Sequence, residues 1–166
     1  MTELTPAHVE YIAKYSGLRE QFINLFKASF NTENGKFLMA VADYKTNPRW
    51  DSCMSIYHLF IRETGGGLVG RPGDKIKVIA SERVNLPAAV RLDIEAKMKT
   101  RKGQVGGLGD PHIYDAAFMV VLRTTAVQKP LDAQISAFIE SHHINAATHS
   151  EYSRFAGIDQ VQAILQ

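Results

Sequence analysis

Asp110, His112 and Asp115 are the residues of this 166-residue chain whose spacing best suits acid–base chemistry. A histidine tuned by a neighbouring carboxylate can give and take protons near neutral pH. The trio follows a loop, GQVGGLG, that holds Gly103, Gly106, Gly107 and Gly109. Glycine accepts positive φ and lets another group come close to the main chain, so such a loop can wrap a phosphate or another anion. Plain turn chemistry competes with that reading, because Asp-Pro-His leading into an apolar run is what a turn requires.

Immediately before the loop stand Lys97, Lys99, Arg101 and Lys102. One or two cations offset the dipole at a helix C-terminus, and four exceed that need. With Arg71, Lys75 and Lys77 brought near by the fold, and with Gly106 and Gly107 beside them, they form a candidate surface for nucleic-acid phosphates. The sequence carries no RNP, KH, zinc-finger or helix-turn-helix signature, so DNA and RNA binding stay open.

Other motifs fall short of a reaction. Gly65 to Arg71, GGGLVGR, nearly spells a nucleotide-binding P-loop, but Arg71 replaces the lysine and Pro72 the magnesium-binding hydroxyl. The glycines at 107 and 109 supply only part of a dinucleotide fingerprint and precede an apolar run rather than follow one. His142, His143 and His149, near Glu140 and Glu151, have no metal-protease spacing. Cys53 is the single cysteine and lies on the apolar face of its expected helix, which makes it a packed thiol and rules out a cysteine cluster. No catalytic constellation is complete, and we expect no cofactor and no metal.

Composition narrows the class. An apolar fraction of 45% and a charged fraction of 22% suit a soluble globular domain. No apolar run reaches the roughly eighteen residues of a membrane span, and MTELTPAHVEY lacks the pattern of a signal peptide, so a cytoplasmic location without membrane contact is expected. The net charge of +2 hides an uneven distribution. Residues 62–102 carry twice as many basic as acidic side chains, and residues 103–166 the reverse. Such opposite fields favour an anionic ligand or self-association.

The elements that must position these groups follow from periodicity. Thr5 and Pro6 open a helix, and Leu18, Phe22, Leu25 and Phe26 keep helical spacing in a second. Asn31 to Gly35 suggests a turn. Trp50, Cys53, Met54, Tyr57, Phe60 and Ile61 share a helix face, as do Val90, Ile94 and Met98, and Pro130 starts a helix burying Leu131, Ile135, Phe138 and Ile139. Residues 36–44, 75–81 and 112–123 are expected strands, the last buried on both faces. The expected fold is therefore α/β, a sheet of about three strands covered by helices in a single domain over 1–141. A polar segment, 142–166, ends in a short helix.

The leading functional expectation is a non-enzymatic accessory or assembly protein, homo-oligomeric, acting through protein–protein contacts next to nucleic acid. A small viral or mobile-element protein, in host cytoplasm or virion, fits that description. One alternative is a small enzyme binding a phosphorylated or anionic metabolite at the Gly103–Gly109 loop, with Asp110, His112 and Asp115 as acid–base groups. Another is a pure protein-interaction domain.

Overall fold

The Thr5 hydroxyl accepts a hydrogen bond from the His8 N–H, and the His8 ring accepts one from the Thr5 N–H, closing a reciprocal cap on α1 (Pro6–Ala13). Pro6 sits where its missing N–H costs nothing. After a turn at Tyr15, α2 (Ser16–Leu25) buries Phe22, whose ring meets Phe26 edge-on at 5.2 Å. A short 3₁₀ turn and Phe30 lead into α3 (Thr32–Thr46). Next come α4 (Trp50–Ile56), prolonged by a wide π-helical turn at Tyr57–Ile61, then α5 (Ala88–Thr100), α6 (Asp115–Val127) and α7 (Leu131–Ser141). The computed structural model describes residues 1–62, 83–100 and 107–144.

These residues are helical throughout, with no strand or sheet among them, which overturns the expected α/β architecture. The expected strand 36–44 lies inside α3, and 112–123 is a turn followed by most of α6. The expected strand 75–81 falls outside the described residues. Both corrections have one physical cause. A helix covered over most of its circumference is apolar throughout a short window, as a doubly covered strand is, so periodicity within that window does not separate them. α3 packs against α1, α2, α4 and α6, and α6 against α3, α5 and α7. Accordingly Phe37, Leu38, Met39, Val41 and Ala42 in α3 are all buried, as are Ala116 to Met119 in α6.

Asn31 to Gly35 is not the expected turn, since α3 begins at Thr32. Gly35 sits within the helix because the Phe26 ring lies across it, and a Cβ there would stand 2.8 Å from that ring. The remaining helices within the described residues match expectation closely, and the expected short helix at the end of 142–166 falls outside them. Val90 and Ile94 are buried on α5, and Leu131, Ile135, Phe138 and Ile139 on α7. Of the segment 142–166, residues 142–144 are described, and Ile144 is buried in the core.

Candidate functional site

The end of α3 clamps the turn before α6 through two consecutive side chains. The Tyr44 hydroxyl donates to the Asp110 carbonyl at 2.7 Å. Lys45 Nζ donates to the Pro111 carbonyl at 3.1 Å and to Asp115 Oδ1 at 2.6 Å. The second oxygen of Asp115, Oδ2, lies 2.9 Å from His112 Nδ1, and the His112 N–H donates to Asp110 Oδ1 at 3.0 Å. The structure thus brings the expected trio together and adds Lys45, which sequence reasoning missed because its partner is 70 residues away. The Lys45 and Asp115 side chains are 1% and 2% exposed, whereas that of His112 is half exposed. Burial pushes the Asp115 carboxyl above the ordinary aspartate value, against the opposing pull of Lys45 and then His112. With both oxygens engaged, Asp115 holds the His112 ring and the turn in place.

The described glycines of the loop serve chain approach. The Trp50 N–H donates to the Gly107 carbonyl at 2.8 Å and the Gly109 N–H to the Pro48 carbonyl at 2.9 Å. These bonds flank a single antiparallel bridge between Arg49 and Leu108. Gly107 has φ +69°, a left-handed conformation that side chains disfavour. At Gly109 a Cβ would run into the Tyr44 hydroxyl and stand 3.2 Å from the Arg49 carbonyl oxygen. Gly103 and Gly106 lie outside the described residues.

Of the expected cationic surface, Lys97 and Lys99 are described, while Arg71, Lys75, Lys77, Arg101 and Lys102 are not. Lys97 pairs with Asp93 one turn earlier at 2.9 Å. Lys99 is exposed on the rim of a hollow of about 410 Å³ between α4 and α5, lined also by Trp50, Met54, Tyr57, Glu95 and Met98. Spacings of three and four residues set these side chains on facing stripes of the two helices. The Tyr57 hydroxyl donates to Glu95 Oε1 at 3.0 Å, and burial, then Glu95, raise its pKa. The sequence gives Trp50, Met54 and Tyr57 the same face as Cys53, yet Cys53 is buried while these three are only partly covered.

Histidine chemistry is sparse. His58 has a buried Nδ1 with no hydrogen-bond partner among the described residues, and its ring meets Tyr57 edge-on at 5.5 Å. Burial, then the Arg62 charge, lowers its pKa. His142 and His143 are exposed after α7, Glu140 receives the Thr2 hydroxyl at 2.9 Å, and His149 and Glu151 lie outside the described residues. No group of three or more potential metal ligands occurs among the described residues. Cys53 is buried, with its carbonyl accepting from the Tyr114 hydroxyl at 2.5 Å. No described helix is long and apolar enough to cross a membrane.

One surface feature was not singled out in the sequence. Phe30 is 93% exposed and takes a left-handed backbone, φ 56° and ψ 34°. The next residue, Asn31, donates through Nδ2 to Gln128 Oε1 at 2.5 Å, and Val127, the neighbour of Gln128 in sequence, is 76% exposed. Met1, also exposed, lines a hollow of about 300 Å³ together with Val127, Ala126 and Ile135. An aromatic in a loop next to a turn residue gives no periodic signal. No protein-family model and no curated protein matches this chain.

Proposed function

We propose that the protein is a non-enzymatic accessory or assembly module that works through protein–protein contacts, in homo-oligomers or larger assemblies, beside a nucleic acid. The observation that carries the reading is Phe30. A large ring left 93% exposed, on a backbone conformation that disfavours it, is costly unless a partner covers it. Val127 and Met1, which share one hollow, are further exposed apolar side chains. The acid–base trio supports a structural role, because the Asp115 oxygens are taken by Lys45 and His112 and an Asp110 oxygen by the turn. The nucleic-acid half draws on the run Lys97, Lys99, Arg101 and Lys102.

The test combines sedimentation with oligonucleotide binding. Phe30→Ser with Val127→Ser is expected to lower the assembled mass, or to abolish capture of a partner, without unfolding the chain. Lys99, Arg101 and Lys102 changed to Gln are expected to weaken oligonucleotide binding and to flatten the slope of log affinity against log salt by about one for each phosphate no longer neutralised. A monomer at every concentration, with no partner lost by the Ser variants and no salt-dependent binding, overturns the reading.

A further inference from the structure

We propose that the hollow between α4 and α5 holds one unpaired base of a single-stranded nucleic acid. The base stacks on the Trp50 and Tyr57 rings, its exocyclic amine donates to Glu95, and its backbone phosphate lies against Lys99. This inference rests on the nucleic-acid half of the proposed function and names the surface and the form of nucleic acid involved.

The lining has the chemistry that a base needs. At about 410 Å³ the hollow falls within the roughly 300–1,000 Å³ of small-molecule sites. Two partly covered aromatic rings and the thioethers of Met54 and Met98 offer flat, polarizable contact for a ring of any sequence. Glu95 supplies direction. Its Oε1 is fixed by the Tyr57 hydroxyl, and its Oε2 takes no hydrogen bond from any described residue. A carboxylate is only an acceptor, so it favours an edge that presents N–H groups, as the N4 amine of cytosine does. Lys99 stands on the rim at the end of α5, where the basic run continues in sequence to Lys102.

A simple organic cation fits the same lining less well. It would gain from Glu95 and the rings, but Lys99 and the charges of Arg62 and Arg91, both close enough to act on Tyr57, oppose it. A base that carries its own phosphate suits the rings, Glu95 and Lys99 together.

Trp50 is the sole tryptophan, so its emission reports on the hollow directly. The full chain is titrated at low salt with end-labelled oligocytidine and oligouridine, reading label anisotropy and tryptophan emission together. The expected result is quenching that saturates in step with anisotropy, and tighter binding of oligocytidine. Trp50→Ala weakens binding about tenfold, Trp50→Phe largely retains it, and Glu95→Gln, whose amide both donates and accepts, removes most of the preference for cytidine. Circular dichroism of each variant separates lost binding from lost folding. Binding seen by anisotropy with unchanged tryptophan emission overturns the hollow as the site and leaves the broader reading standing. Absence of binding to either oligomer overturns the hollow as a base site, and absence of salt-dependent binding to a duplex as well overturns the nucleic-acid half of the proposed function.

Discussion

Lys45 Nζ and Asp115 Oδ1 meet at 2.6 Å with their side chains sealed from water, and this pair ties the end of α3 to the start of α6. Removing Lys45 leaves the buried Asp115 carboxylate with only the half-exposed His112 ring beside it, a loss of about 3 kcal/mol. Lys45→Met is expected to show that loss in urea unfolding, and Lys45→Met with Asp115→Leu to recover part of it. A single variant as stable as the parent would mean that the charges are not buried as a pair.

Tyr44 and Gly109 should prove coupled. Gly109→Ala drives a methyl group into the Tyr44 hydroxyl, at an expected cost of about 1–3 kcal/mol. Tyr44→Phe removes that oxygen, together with its bond to the Asp110 carbonyl. The double variant is therefore expected to cost less than the two single losses added, as a double-mutant cycle will measure. Strict additivity would place the two groups out of contact.

His58 gives stability a pH dependence of known sign. Its pKa in the folded chain lies below the ordinary histidine value of 6.5, so the unfolded chain binds the proton more readily. The contribution is complete above that value and is lost as pH falls through 6.5 toward the folded value. Unfolding midpoints measured between pH 7 and pH 5 are expected to fall more steeply for the parent than for His58→Gln. Equal slopes would mean that the ring titrates alike in both states.

Phe30→Gly separates stability from contact. Glycine tolerates the left-handed backbone and loses no buried surface at a site 93% exposed, so the fold is expected to gain about 1 kcal/mol. Partner or self-association is expected to weaken in the same variant. Melting temperature and sedimentation moving in opposite directions is the signature sought; a loss of both would assign Phe30 a role within the fold.

The helices with one wet face were legible in the sequence. Thr5 and Pro6 mark the start of α1, and the stripes of α5 and α7 point inward as their spacing requires. α3 and α6 were not, because within 37–42 and 113–122 nearly every residue is buried, and the wet stripes show only at Lys36, Asp43 and Thr46 and at Arg123, Thr124 and Val127. A compositional signal was nevertheless present. Leu38, Met39 and Ala40, and likewise Ala116, Ala117 and Met119, are strong helix formers, and Val41 is the single β-branched residue of 36–44, although Val120, Val121, Thr124 and Thr125 blunt that signal in α6. In the candidate site, the nearness of Asp110, His112 and Asp115 followed from their spacing. Their partner Lys45, and the facing of Trp50 and Tyr57 toward Glu95, depend on helices distant in the chain, which no local pattern encodes.

Trp50 belongs to two structures at once: its ring lines the hollow, and its amide N–H holds the Gly107 carbonyl at 2.8 Å. Anything that displaces the ring therefore bears on the bond that holds Gly107 ahead of α6. Hydrogen–deuterium exchange at that one amide becomes a gauge of occupancy, readable without a label. Two residues beyond Gly107, the Gly109 N–H bonds the Pro48 carbonyl, so the Gly107 anchor lies directly beside the Tyr44 and Lys45 clamp on Asp110 and Pro111.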